Sequence, residues 1–186
     1  MLIILEGCDK FGKSTLVKSI SKKLQISSIK MPKAHKFFEE EETLNALSEN
    51  YALTLEQISR SKAHFVVDRG FLTGIVYSKV FKRRVESSYN LEIMKRCKDR
   101  LLFVIVTGEV DKIIKRTRSK DRVIDTDLLH KINEEYNLIK NLLKKNNIRY
   151  VSIDTTSLSK RECFEKFERF WTSIEESEGR SLKTNS

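Results

Sequence analysis

Short continuous apolar runs alternate along this chain with longer stretches whose apolar residues recur every three or four positions. The run at 2–6 (LIILE) reads as a buried strand, and Leu16, Val17, Ile20 and Leu24 after it predict a helix over 13–24. A second strand is expected at Ile26–Met31, where Pro32 stops it. From 37 to about 63 the pattern is helical and polar. The acidic run Glu39–Glu42 suits a first turn, and Thr54 with Gln57 suits a capping box opening a further segment. HFVVDRG then predicts a short strand, followed by helices at about 72–84 and 90–98, the second with Asn90 as its N-cap. LLFVIVT at 101–107 is apolar throughout and predicts a strand buried on both faces. A helix through Arg116 follows, then a basic irregular stretch, RTRSKDRVID. Leu128, Leu129, Ile132, Tyr136, Ile139, Leu142 and Leu143 predict a long helix over 125–146. IRYVSID reads as the last strand, and Ser159 with Glu162 caps a final helix carrying Phe164, Phe167, Phe170 and Trp171 inward. Strands alternating with helices predict an α/β fold, a doubly wound parallel sheet covered on both faces. One domain over 1–176 is expected, with the polar tail 177–186 disordered.

Composition narrows the class. The chain has 186 residues, 39% of them hydrophobic, which suits one packed domain. No apolar run has the length of a membrane span, and the N-terminal run is consumed as a strand, so no membrane or export role is expected. The three cysteines, Cys8, Cys97 and Cys163, are widely spaced and form no metal-ligand pattern, which places the chain in a reducing cytoplasm. A net charge of +10 suits an anionic substrate or a nucleic acid, though lysines on helix surfaces also simply face water.

The chemistry concentrates after the strands. GCDKFGKST, beginning at Gly7, fits the phosphate-loop spacing G-x-x-x-x-G-K-S/T, with a strand before it and a helix after it. Backbone amides can wrap a polyphosphate only where side chains leave room, hence Gly7 and Gly12 at the two ends. The following helix adds its unpaired amides and dipole. Lys13 would reach the β- and γ-phosphates of ATP, and Ser14 would ligate Mg²⁺. Lys10, Gly12 and Thr15 complete the donor site. Pro32–Lys33 and Asp68–Arg69 end two further strands, so three motifs meet at the carboxyl edge where open α/β sheets bind ligands. Taken singly, an Asp–Arg pair also serves to anchor a turn, and an arginine-rich segment also serves as a solvated face.

Together these residues resemble the thymidylate kinase family of P-loop nucleoside monophosphate kinases. GCDKFGKST has Asp at its third position as that family does. VVDRGFLTGIVYS is similar to its D-R-Y/H-x-x-S-x-x-A-Y/F signature, with Asp68, Arg69, Thr73 and Tyr77 at matching places. RTRSKDRVID resembles its lid, here about 116–124, with Arg116, Arg118, Asp121 and Arg122 in register and Tyr136 on the helix beyond. VSIDTTSLS resembles the strand and loop that hold adenine. The resemblance implies a five-stranded domain that uses ATP and Mg²⁺ to phosphorylate a deoxynucleoside 5′-monophosphate, dTMP or a related pyrimidine nucleotide. It assigns Mg²⁺ to Ser14 and Asp68, the acceptor phosphate to Arg69 and Lys33, the sugar 3′-hydroxyl or metal shell to Asp9, and transition-state charge to Arg118 and Arg122. Tyr77 with Thr73 would line the sugar, and Tyr51 would stack on a base.

The sequence departs from the family at the thymine pocket. Arg60 falls too close to Asp68 to match the base-reading arginine, and Gly70 replaces an aromatic residue. Two other acceptors therefore stay open: a free deoxynucleoside, with Glu39 as base, and a hydroxyl in DNA or RNA, which the basic stretch VFKRRVESSYNLEIMKRCKDR would suit. A nucleotide-binding regulatory or packaging role is disfavoured, since Thr107–Gly108 rather than an acid ends the central apolar strand. The oligomeric state is open, a homodimer among the alternatives.

Overall fold

The computed structural model describes residues 1–31, 41–61, 63–82, 87–116 and 125–179, with the backbone alone described at 41–45, 47, 87 and 88. The strands are β1 (Leu2–Gly7), β2 (Ser27–Lys30), β3 (Phe65–Asp68), β4 (Leu101–Thr107) and β5 (Tyr150–Asp154). They form one parallel sheet in the order β2-β3-β1-β4-β5. β1 and β4 are buried along their whole lengths because each has a strand on both sides and helices on both faces. β2, at the edge, is mostly exposed and correspondingly polar.

The helices are α1 (Lys13–Leu24), α2 (Glu41–Arg60), α3 (Phe71–Val80), α4 (Ser87–Cys97), α5 (Val110–Arg116), α6 (Thr126–Lys145) and α7 (Lys160–Ser177). The long-period helices behave as their spacing demands. α6 buries Leu129, Ile132, Tyr136, Ile139 and Leu143, and Asp125 caps it by accepting the Leu128 amide at 3.0 Å. α7 opens with the expected capping box, Ser159 with Glu162, and buries Phe164, Phe167 and Trp171, leaving Phe170 only partly covered.

Two local readings are corrected. α2 runs unbroken through Thr54 and Gln57, so no new segment starts there. A capping box is a local signal, and continued packing of Ala52 and Leu55 in the core carries the helix past it. Asn90 does not cap α4, which begins three residues earlier at Ser87. Its side chain is buried and donates instead to Ser48 Oγ on α2 at 2.6 Å. Where α3 crosses α2, a Cβ on Gly74 would come within 2.8 Å of that same Ser48 oxygen, so the glycine sets the closeness of the crossing. α3 is apolar nearly all round, because α2, α4, α6 and β1 enclose it. That enclosure fixes the helix that follows Arg69.

Candidate active site

Parallel registration brings the site together before any side chain is considered. Leu5 pairs with Asp68 and Gly7 with Val106, so the loop after β1 and the end of β3 emerge side by side. Gly7 has φ +143°, and a Cβ there would overlap the Val106 carbonyl oxygen of β4. Gly12 has φ +82°, and a Cβ there would make only an ordinary contact, with Thr155 Cγ2 at 3.9 Å. The two glycines are thus required for different reasons. Gly7→Ala is expected to lower stability by more than about 3 kcal/mol, since backbone must move, and Gly12→Ala by about 1–2 kcal/mol from conformational strain alone. Urea unfolding of both variants checks the contrast.

Lys13 is buried, 5% exposed, and its ammonium donates to the Cys8 carbonyl within the loop. Burial lowers its pKa from 10.5 to about 8, with Arg69 adding to the effect and Asp9 and Asp68 opposing it. Ser14 Oγ donates to Asp68 Oδ2 at 2.7 Å. A hydroxyl and a carboxylate in contact beside a phosphate loop are oxygen donors of the kind Mg²⁺ takes, usually keeping several of its waters, so the pair fits the metal. Cys8 is fully buried, and burial pushes its thiol up to about 12, making it a filler rather than a reactive group.

Arg69 and Lys10 both adopt left-handed backbone, φ +76° and +68°. Neither is glycine, so each conformation costs about 1 kcal/mol or more and persists because the surroundings enforce it. The Arg69 side chain is 15% exposed, pairs with the Asp9 carboxylate of the phosphate loop, and lies 5.9 Å from the Tyr77 ring centre. Tyr77 OH reaches Asp9 Oδ2 at 3.5 Å. Asp9, Lys13, Ser14, Asp68, Arg69 and Tyr77 therefore form one cluster. Thr73 turns away from it, its hydroxyl donating to Glu6 Oε2 at 2.7 Å. Tyr51 is half-buried on α2 and packs against the core. Lys33, Glu39, Arg118, Asp121 and Arg122 lie outside the described residues.

A cavity of about 320 Å³ opens beside the loop, between α1, the end of α5 and the β5–α7 turn. Lys10, Gly12 and Thr15 line it on one side, Leu158 and Cys163 on the other. Thr155 Oγ1 donates to the Phe11 carbonyl at 2.9 Å, and Arg116 donates to the Thr155 and Thr156 carbonyls at 2.7 and 3.0 Å. The turn is thereby tied to the phosphate loop and to α5. An apolar slot bordering a phosphate loop has the shape and polarity that a nucleoside base requires.

Glu6 was not a candidate on sequence, where it reads as one polar residue closing an apolar strand. In the structure it is fully buried and accepts the Gly70, Leu72 and Thr73 amides at 2.9, 2.9 and 3.3 Å. Tyr136 OH donates to its other oxygen at 3.2 Å. Burial raises the Glu6 pKa, and Thr73, Arg69, Leu72 and Tyr136 work against the rise. The one signal that could have found it is a carboxylate placed between a buried strand and the first loop glycine.

No protein-family model matches the chain, and no curated protein matches it in sequence. Solved structures do match. The YorR protein of Bacillus subtilis, in complex with phosphorylated GDP, is 24% identical with a TM-score of 0.70, covering 96% of this chain and 98% of its own. Deoxyadenosine kinase from M. mycoides, with dCMP and dCDP bound, is 20% identical with a TM-score of 0.64 over 93% of this chain and 100% of its own. Thymidylate kinase from Candida albicans is 21% identical with a TM-score of 0.65 over 97% and 93%. Likeness at this identity shows the fold alone: a five-stranded parallel α/β domain shared with these structures.

Proposed function

We propose that this chain is an ATP-dependent kinase that phosphorylates a deoxynucleoside 5′-monophosphate, dTMP or a related pyrimidine nucleotide. The observation that carries the reading is Arg69: a largely buried guanidinium, held in left-handed backbone at the end of β3 and aimed across the phosphate loop at Asp9. A planar fork in that place suits the phosphate of an acceptor lying opposite the donor. Lys33, one residue past Pro32 after β2, would join it. The loop amides and Lys13 would hold the donor's phosphates, with the base in the cavity beside Arg116. Ser14 and Asp68 would hold Mg²⁺, which when bound neutralises phosphate charge. Arg118 and Arg122 would add charge to the transferring group. Three buried, unpaired thiols suit a cytoplasmic enzyme.

A free deoxynucleoside is the second reading, supported by the likeness to deoxyadenosine kinase. Labelled ATP and Mg²⁺, offered deoxymonophosphates, ribomonophosphates, deoxynucleosides and 5′-hydroxyl oligonucleotides side by side, separate the two. Deoxymonophosphates are expected to lead, with nucleosides and oligonucleotides near background. Tyr77, buried beside Arg69 and Asp9, would fill the space a 2′-hydroxyl needs. Tyr77→Ala is therefore expected to shift selectivity toward the ribonucleotide by about tenfold or more in kcat/KM. A nucleoside or an oligonucleotide that outperforms every monophosphate would refute the assignment.

A further inference from the structure

Glu6 and Tyr136 are fully buried and do not line the cavity. Glu6 receives three amides from the start of α3 on Oε1, and the hydroxyls of Thr73 and Tyr136 on Oε2. A carboxylate with no solvent contact is costly to keep unless hydrogen-bond donors satisfy it, as these amides and hydroxyls do. Position 70 is Gly, with no side-chain cap, and a Cβ there would come within 2.8 Å of Ile4 Cγ2. β1 thus presses against the turn, and the cap reaches it from the strand that leads into the phosphate loop. Arg69, between Asp68 and Gly70, is held in its left-handed conformation by this anchoring and by its own amide, which donates to the Leu5 carbonyl at 2.9 Å. Tyr136 extends the same anchoring to α6.

We propose that Glu6, supported by the Tyr136 and Thr73 hydroxyls, is the positioning residue for the acceptor clamp: it locks the Asp68–Arg69–Gly70 turn against the phosphate loop and to α6. The proposal rests on the kinase reading above. Glu6 acts on the reaction through Arg69 and meets no substrate. Its position explains why Thr73, in a sugar-lining register by sequence, turns inward.

Tyr136→Phe removes one hydroxyl from this network and leaves the carbon skeleton in place; Glu6→Gln replaces the carboxyl group by an amide of the same shape. Steady-state kinetics with each substrate varied should show kcat/KM for the deoxymonophosphate falling about 10- to 100-fold in both variants, with the KM for ATP within about twofold of wild type. Thr73→Ser, which keeps its hydroxyl, is expected to stay near wild type while Thr73→Val falls with the others. In the ligand-free protein, the ¹⁵N Nε–Hε resonance of Arg69 is expected to shift or broaden in Tyr136→Phe while the rest of the spectrum stays folded. Equal losses for donor and acceptor, or a lower melting temperature with unchanged acceptor kinetics, would make Glu6 a structural cap and overturn the proposal. Should the wild-type protein phosphorylate no deoxymonophosphate, the kinase reading fails by itself and the Arg69 resonance decides the positioning role. An unchanged resonance in Tyr136→Phe then rejects it.

Discussion

Phosphoryl transfer from ATP is expected to fall about 10³-fold in Lys13→Ala, with the fold retained. The ammonium is a single charge in a nearly closed loop, where a donor aimed at developing negative charge is worth far more than in water. The same burial makes the charge unwelcome in the fold, which is why its pKa drops to about 8. The pH dependence follows with a definite sign. Below pH 8 the lysine is protonated in both folded and unfolded chains, and the folded state bears the full burden of the buried charge. Between pH 8 and the ordinary value of 10.5 the unfolded chain keeps a proton that the fold has released. Stability contributed by this group therefore rises with pH across that window. Thermal melts of wild type and Lys13→Ala between pH 7 and about 10.5 should diverge in wild type's favour as pH increases. Wild-type turnover in a stably folded Lys13→Ala protein would remove the basis for a donor site at this loop.

Arg69→Ala carries the second large effect. On the proposed role, a bidentate grip on a phosphate would supply two charge-assisted hydrogen bonds, each worth about 1.5–3 kcal/mol, so its loss is expected to lower kcat/KM for the deoxymonophosphate by about 10²-fold or more. Activity toward a nucleoside, which has no phosphate to grip, should hardly change, so the preference between them disappears. Arg69→Lys is expected to recover little, because a point charge cannot replace a bidentate fork. The Asp9 carboxylate, 58% exposed at its side chain, resolvates when its partner is removed, so the fold should tolerate the change. Parallel assays on a monophosphate and its nucleoside measure the ratio directly. A ratio unchanged by the substitution would detach Arg69 from the acceptor phosphate.

Much of the fold was legible because its signals are local. Continuous apolar runs marked β1 and β4, which are buried on both faces, and three- and four-residue spacing marked α1, α6 and α7. The phosphate loop was legible because its glycines answer a steric demand expressed within nine residues, from Gly7 to Thr15. Local signals misled where tertiary packing overrode them. Thr54 and Gln57 resemble a helix start yet sit inside α2, and Asn90 resembles a cap yet spends its amide on Ser48. Each residue has the chemistry to cap, but its neighbours in space set what it meets.

By itself, then, the sequence determined the alternation of strands and helices, the phosphate loop and its lysine, and the placing of an acidic–basic pair at the end of β3. These depend on periodicity, glycine sterics and charge over a few consecutive positions. Only the tertiary structure decided that Arg69 pairs with Asp9, that Ser14 meets Asp68, and that Glu6 anchors the turn between them. Those contacts join residues 54 to 130 positions apart, from Ser14–Asp68 to Glu6–Tyr136. A carboxylate inside an apolar strand has no partner in its own neighbourhood of the chain. The parallel register of β1, β3 and β4, together with α6 lying across α3 and β1, supplies the partners that make its burial tolerable.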